Sequence, residues 1–464
     1  MQNVVLENVE IVDMAAEGNA IARVEGRVVF VPWVAPGDVV DIQITRRKHN
    51  YAEGRAINFH RKSPFREEPF CKHFGTCGGC RWQHLSYEKQ LAFKQQQVID
   101  AMQRIGKVDF PTPQPIAGAE NIKYYRNKLE FTFSDSRWIL PDEPYIENRS
   151  DREALGFHIP GRFDKVLDIK ECFLQHPLSN QIRLAVKDYC LKNGLSFQNI
   201  RNHQGKMRNL IIRNSNTGEW MVIVVFGKEA SRDQQEKLLQ FIHNQFPEIT
   251  SLWFVVNSKV NDSISDLEPK LFYGKEYLVE KMMHLEYHIG PKSFYQTNSQ
   301  QAQILYRVVY DFSQLTGSEL VFDLYTGTGT IANMLALNAK RVYGIEYIEE
   351  AIIDARKNSM MNGVQNTIFI AGDMKDILTE EFIHQHGVPD VLVTDPPRSG
   401  MHPDVVLTIL KANPKRIVYV SCNPATQARD VAILDAKYRI AGMQTVDMFP
   451  HTHHVENVLL LEHK

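Results

Sequence analysis

The sequence predicts an α/β protein: a C-terminal doubly wound, Rossmann-like sheet preceded by a small N-terminal β-barrel and a central strand-rich α+β region. Three observations predict it. From about residue 290 apolar strand-like runs alternate with helix-like segments, as in "LVFDLYTGTGTIANMLALNA" and "RVYGIEYIEEAIIDARKNSMMNG", which implies a parallel sheet. The first 61 residues read instead as short strands punctuated by Gly18, Gly26 and "APGD", the pattern of a small barrel. Hydrophobic content of 43% and charged content of 23% over 464 residues describe ordinary globular domains with sizeable cores. The expected boundaries are 1–61, 62–289 and 290–464.

The barrel segment carries an uneven charge. The whole chain has a net charge of −2, which argues against bulk, sequence-blind binding of polyanions. Between Arg46 and Arg66, however, Arg46, Arg47, Lys48, Arg55, Arg61, Lys62 and Arg66 face Glu53 alone, with Tyr51, Phe59 and Phe65 interleaved. Such a run is either a solvated face or a surface for pairing with phosphate and stacking on bases. The N-terminus has no basic lead before an apolar stretch, and no apolar run reaches about 18 residues. A cytoplasmic protein without membrane association is expected.

The middle segment opens on "CKHFGTCGGC", in which Cys71, Cys77 and Cys80 are spaced C-x5-C-x2-C. In a reducing compartment this spacing favours metal over disulfides. Gly75, Gly78 and Gly79 permit the tight turns that wrapping a centre needs. A fourth thiolate must come from farther away, and Cys172 in "DIKECFLQHP" is the best candidate. Four thiolates suit zinc or an iron–sulfur cluster, and the three-plus-one arrangement leans toward a [4Fe–4S] cluster. Cys190, in "AVKDYCLKNG", reads as a buried small residue on an amphipathic helix. "SYEKQLAFKQQQVIDAMQRIG" is a helix with Ser86 as its cap and Gly106 as its stop, and "TPQPIAG" a linker. "YYRNKLEFTF" alternates basic and apolar residues, which would set Arg126 and Lys128 on one face of a strand.

In the C-terminal segment every suggestive loop follows a strand, where ligands of doubly wound sheets bind. "DLYTGTGT" places Gly327 and Gly329 between a strand and a helix, with Ala332 at the third position of the glycine fingerprint. Glu346 ends the next strand, 21 residues after Tyr325, where a carboxylate reaches ribose hydroxyls. Asp373 in "AGD" and Asp395 in "TDPPRSG", with no basic group for a pyrophosphate, favour S-adenosylmethionine over a nicotinamide dinucleotide.

"YVSCNPAT" then puts Cys422 at a strand end, with Pro424 opening a helix. Helix N–H groups and the dipole would stabilise a thiolate there. A nucleophile is what methylation at carbon 5 of a pyrimidine requires, because that carbon reacts only after a thiolate has added to carbon 6. A base must then take the carbon-5 proton; "FPHTHHVENV" offers Glu456 and the histidines His451, His453 and His454.

"SCNPAT", "FPHTHHVE", "DPPRSG" and "PKSFYQTN" together closely resemble the RNA uracil-5-methyltransferases, and within them the ribosomal type with an N-terminal TRAM barrel and a four-cysteine iron–sulfur site. The resemblance spans essentially the whole chain. It implies Cys422 as nucleophile and Glu456 as proton acceptor. It implies Gln296, Tyr325, Gly327, Gly329, Thr330, Glu346, Asp373 and Asp395 as cofactor or substrate contacts, and a [4Fe–4S] cluster on Cys71, Cys77, Cys80 and Cys172. It also implies that the helix near 87–105 packs on the catalytic domain. The expected substrate is 23S rRNA, with tRNA as the alternative, and the expected state a monomer. Related cytosine-5 enzymes carry a cysteine in the motif that reads "DPPRSG" here, so uracil is favoured. A base-nitrogen methyltransferase and a non-enzymatic iron–sulfur RNA-binding protein are the rival readings; either would leave Cys422 idle.

Overall fold

The computed structural model describes residues 4–140, 143 and 152–464; the first three residues of the expected barrel segment lie outside the described residues. The alternating N-terminal segment closes into a barrel of β1 (Val5–Met14), β2 (Ala20–Val24), β3 (Arg27–Val31), β4 (Val39–Arg47) and β5 (Tyr51–Arg61), in the order β1-β2-β3-β5-β4. Its interior holds Ile11, Ala22, Val31, Val40 and Ile42, packed with Trp82 and Leu85 from beyond the cysteine loop. The basic run divides. Arg46, Arg47 and Lys48 are exposed at the β4–β5 tip. Arg66 turns inward onto the buried Asp38 carboxylate at 2.7 Å, so it belongs to the scaffold.

α1 (Tyr87–Ala101) continues into a π-helical turn over Met102–Gly106. The Ser86 side chain makes no capping bond, contrary to expectation; its carbonyl accepts from Gln90 N instead. Gln90, Lys94 and Val98, spaced by four, form the buried stripe of α1. The supposed linker "TPQPIAG" contains β6 (Gln114–Ala117), which pairs in parallel with the edge of the C-terminal sheet. An edge strand offers unpaired backbone groups, and a short strand laid along it satisfies them.

The central region is a seven-stranded sheet of β7 (Lys128–Ser134), β8 (Ala154–Ile159), β9 (Arg162–Asp168), β10 (Met207–Asn214), β11 (Trp220–Phe226), β12 (Ile249–Val256) and β13 (Lys270–Gly274). Its order is β13-β12-β11-β10-β7-β8-β9. α2 (Pro177–Lys192) and α3 (Arg232–Gln245) cover it. Cys190 is fully buried in that core, as expected of a small apolar residue. β7 starts at Lys128, so Arg126 lies before the strand, and the expected basic strand face does not form. A hairpin of β14 (Leu278–Met282) and β15 (Leu285–Ile289) leads to α4 (Ser299–Ser313).

The C-terminal sheet is built from β16 (Leu320–Leu324), α5 (Thr330–Ala336), β17 (Arg341–Glu346), α6 (Glu349–Met361), β18 (Thr367–Ala371), α7 (Met374–Ile377), α8 (Glu380–His386), β19 (Val391–Thr394), α9 (Pro403–Ala412), β20 (Arg416–Ser421), α10 (Pro424–Leu434), β21 (Tyr438–Val446) and β22 (Glu456–His463). The strand order is β18-β17-β16-β19-β20-β22-β21-β6. β16 to β20 pair in parallel, and β22 enters antiparallel to both its neighbours. Both faces are buried: Val391 and Val393 join one core, and Leu392 between them joins the other. The order in which strands are added reverses between β16 and β19, which opens a crevice beyond their carboxyl ends. Among the described residues no helix is long and apolar enough to cross a membrane.

Candidate active site

Cys422 stands between the last residue of β20 and the first turn of α10. The turn is fixed by its neighbours. Ser421 Oγ accepts from Asn423 N at 3.1 Å, and the Asn423 side chain caps α10 by accepting from Ala425 N at 3.1 Å. Asn423 Nδ2 and Thr426 Oγ1 both donate to the Arg398 carbonyl, at 2.9 and 3.3 Å. "SCNPAT" is thereby bound to "DPPRSG".

The β20–β22 register decides what faces the thiol. Ser421, the last residue of β20, pairs with Asn457, which leaves Cys422 and Glu456 at the same end of the ladder, where Glu456 acts on the thiol. Glu456 is 6% exposed, and Asp395 lies close enough to act on both groups. Burial, then Glu456 and Asp395, push the Cys422 thiol up to about 11, while Arg398 opposes them. The expected stabilisation of a thiolate at the helix N-terminus is outweighed by desolvation and two carboxyl neighbours. Burial, with Asp395 adding, also holds Glu456 well above the usual carboxylate range. Asp395 is itself pushed up to about 7 by burial.

The three histidines of the β21–β22 loop go the other way. Burial, aided by nearby cations, depresses His451 to about 4, His453 to about 3 and His454 to about 4. All three are neutral at pH 7 and weak as bases. His451 is structural: its N–H donates to Gln90 Oε1 at 2.8 Å, and its carbonyl accepts from Arg81 N and Trp82 N. His454 Nδ1 lies 2.8 Å from Arg398 Nη2.

The glycine loop follows β16 at the crevice. Tyr325 adopts φ 63°, the left-handed region that costs a non-glycine residue energy and clusters at ligand sites. Gly329 needs its glycine, at φ 77° and with only 2.9 Å from the place of a Cβ to Ala355 Cβ. A Cβ at Gly327 would meet nothing within 4 Å, so the loop leaves open space above it. Glu346 accepts from Gly327 N at 3.1 Å and Ile348 N at 3.0 Å. Asp373 caps α7 from Lys375 N. Thr330 is buried at the start of α5, its carbonyl bound by Tyr287 Oη. Gln296 lies just before α4, its carbonyl bound by Asn127 Nδ2 at 2.9 Å. This donor set is acidic: Glu346, Asp373 and Asp395 suit ribose hydroxyls and cationic groups and would repel a pyrophosphate. It fits S-adenosylmethionine.

Sequence reasoning missed Tyr306 on α4. Its hydroxyl hydrogen-bonds the Gln296 side chain, and Asp395 and Glu456 act on it. With Ala302, Leu305 and Val309 it forms a helical stripe that reads as core, so nothing in the sequence marks it. Arg398 was likewise not singled out as a site residue.

The four cysteines expected to bind metal are unpaired thiols around one cavity of about 170 Å³, which His73, Gln83 and Arg126 also line. Burial raises all four and pushes Cys77 and Cys80 up to about 12, with the other thiols adding to the shift. Gly79 N donates to Cys77 Sγ at 3.4 Å. Among the described residues, no group of three or more His, Cys, Asp or Glu is arranged to hold a metal ion. The cavity adjoins the β21–β22 loop: Arg126 reaches over the Phe449 ring at 5.1 Å, and Tyr125 Oη donates to the Pro450 carbonyl at 3.0 Å.

A doubly wound sheet with an acidic rim at its switch point is the class of nucleotide-cofactor transferases. Comparison with known proteins narrows it. Residues 265–464 match the family described as tRNA (Uracil-5-)-methyltransferase, and residues 7–57 match the TRAM domain. An uncharacterized RNA methyltransferase of Bacteroides thetaiotaomicron is 57% identical over 97% of this chain and all of its own length. One from Porphyromonas gingivalis is 56% identical over 97% of this chain and 99% of its own. The crystal structure of Pyrococcus abyssi tRNA (uracil-54, C5)-methyltransferase, in complex with S-adenosyl-L-homocysteine, superposes with a TM-score of 0.75 at 29% identity, covering 98% of this chain and 99% of that one. The chain belongs to the RNA (uracil-5-)-methyltransferase family.

Proposed function

We propose that this enzyme methylates carbon 5 of a uridine in RNA through a covalent adduct on Cys422, with Glu456 as the base. The observation that carries the reading is the β20–β22 register, whose last pair, Ser421 with Asn457, leaves the Cys422 thiol and the Glu456 carboxyl at the same end of the ladder, with Glu456 acting on the thiol. The Cys422 thiol loses its proton to solvent, and its sulfur bonds to carbon 6 of the uracil. Electron density then moves to carbon 5, which attacks a methyl group. S-adenosylmethionine, held by Gln296, Tyr325, Gly327, Gly329, Thr330, Glu346, Asp373 and Asp395, would supply that methyl group by cleavage of its methyl–sulfur bond, with the neutral thioether S-adenosylhomocysteine as the leaving group, and before transfer its sulfonium charge would oppose the raised thiol pKa. Glu456 removes the carbon-5 proton, and the carbon–sulfur bond breaks to free Cys422 and restore the ring. A carboxyl raised by burial is a stronger base, once ionised, than one in water. The depressed histidines are poor alternatives. A stacked uridine is out of reach, so the target base must leave its stack.

The substrate we favour is large-subunit (23S) ribosomal RNA, on the strength of the barrel joined to a four-cysteine site. Transfer RNA is the second reading, favoured by the likeness to a transfer RNA enzyme over nearly the whole chain. Cys71, Cys77, Cys80 and Cys172, which line one cavity without being grouped as a metal site among the described residues, are the thiols that a [4Fe–4S] cluster would draw together. The reaction is redox-neutral, so the role assigned to the cluster is structural.

The test is tritiated methyl transfer from S-adenosylmethionine to unmodified large-subunit ribosomal RNA and, separately, to unmodified transfer RNA, with Cys422→Ala as control. Incorporation into ribosomal RNA alone supports the favoured substrate. Incorporation into transfer RNA alone replaces it. Turnover by Cys422→Ala would overturn the covalent mechanism.

A further inference from the structure

"FPHTHHVE" contains more histidine than the proposed chemistry uses, and His454 sits two residues from Glu456. The exposed arginine of "DPPRSG" is its partner. Arg398 is tied down at its backbone, where its carbonyl accepts from Asn423 Nδ2 and Thr426 Oγ1, both just after Cys422. Its side chain reaches across to the β21–β22 loop, where Nη2 meets His454 Nδ1 at 2.8 Å. An arginine is always charged and can only donate, so Nδ1 is the acceptor and the imidazole proton sits on Nε2. An exposed arginine side chain otherwise samples many rotamers. One acceptor on the facing loop selects the orientation that spans the gap between "SCNPAT" and Glu456.

We propose that His454 is a positioning residue: as a neutral hydrogen-bond acceptor it holds the Arg398 guanidinium at the mouth of the site, beside Cys422 and Glu456. There the guanidinium acts on two acidic groups: the Cys422 thiol, just beyond the end of β20, and Glu456, the first residue of β22. Arg398 favours the charged forms of both Cys422 and Glu456. The burial that depresses His454 keeps the imidazole neutral and so able to accept. The loop histidine thus acts on the thiol through the arginine and takes no proton from the substrate. The inference rests on the covalent reading, since only there does charge on Cys422 matter to turnover.

The experiment compares His454→Leu with His454→Gln in the full-length protein. Gln keeps an oxygen acceptor and Leu does not. The first readout is the pH profile of Cys422 alkylation by iodoacetamide without RNA, followed by mass spectrometry of the Cys422 peptide. His454→Leu is expected to shift the profile to higher pH, and His454→Gln to restore it. The second readout is methyl transfer. In His454→Leu, kcat is expected to fall by roughly ten- to a hundredfold, the range of one hydrogen bond to a charged group, with KM for S-adenosylmethionine unchanged. An unshifted alkylation profile in folded His454→Leu would overturn the proposal. So would His454→Gln as damaged as His454→Leu, since the imidazole itself would then be required. The alkylation arm needs no turnover, so it separates this inference from the mechanism: Cys422→Ala retaining activity would sink the mechanism without touching the profile.

Discussion

Lys94 and Asp447 are both fully buried and meet at 2.6 Å, which joins the helix after the cysteine loop to the start of the loop before Glu456. Lys94 Nζ also donates to the Phe449 carbonyl at 3.0 Å, and Asp447 accepts from Tyr87 Oη at 2.7 Å and Phe449 N at 3.1 Å. Burial lowers the Lys94 pKa and Asp447 opposes it, so the ammonium depends on its partner. Lys94→Met removes the cation and leaves a buried carboxylate with only neutral donors. Removing one member of a buried pair costs about 3–5 kcal/mol, a hundredfold or more in the folded-to-unfolded ratio. Asp447→Asn strands the ammonium and should cost a similar amount. The double variant leaves no buried charge, and its new side-chain amide still offers an oxygen to the Tyr87 hydroxyl, so it should lie within about 2 kcal/mol of the natural protein. Urea unfolding followed by tryptophan fluorescence measures all four proteins; the buried Trp82 ring, 6.0 Å from Lys94 Nζ, reports on this junction. A coupling of at least about 4 kcal/mol is expected. Single-variant losses that simply add, or a Lys94→Met loss below about 1 kcal/mol, would refute the reasoning.

Other expectations can be measured directly. Glu456→Gln should still form the RNA adduct but release it slowly, seen as a denaturant-stable band; prompt release would transfer the base role elsewhere. With the Cys422 thiol pushed up to about 11, only roughly one molecule in a thousand carries the thiolate at pH 8, so alkylation of the cofactor-free protein should rise about tenfold per pH unit toward pH 11. Added S-adenosylmethionine should accelerate it and S-adenosylhomocysteine, which lacks the sulfonium charge, should not; a plateau below pH 9 in the free protein would contradict the burial argument. Gly329→Ala forces a Cβ to 2.9 Å from Ala355 Cβ at a positive φ and should weaken S-adenosylmethionine binding in calorimetry at least about tenfold. Anaerobically purified protein should be coloured and carry iron that Cys172→Ser loses; a colourless, zinc-containing preparation would replace the cluster.

Much of this protein is written locally. Alternating apolar residues closed by glycine turns make a barrel wherever they stand, and strand–helix alternation after residue 290 has few solutions other than a doubly wound sheet. Gly327, Gly329 and Glu346 carry the spacing of a strand–turn–helix glycine fingerprint, and Cys422 before Asn423-Pro424 marks the turn between a strand and a helix. Pairing across the chain is what such patterns leave open. Only the β20–β22 register brings Cys422 to the end of the ladder that carries Glu456, 34 residues later, and their burial there, with carboxyl neighbours, raises both. β6 reads as a linker until the edge of β21 supplies its partner. Gln90 and Lys94 look like the wet side of a helix because polar residues usually are; they are buried because His451 and Asp447 meet them there. Local sequence determines what each segment can be. Hydrogen bonds and charges between segments distant in the chain decide which side chains face one another, because a polar group is stable in the interior only where another element brings its partner.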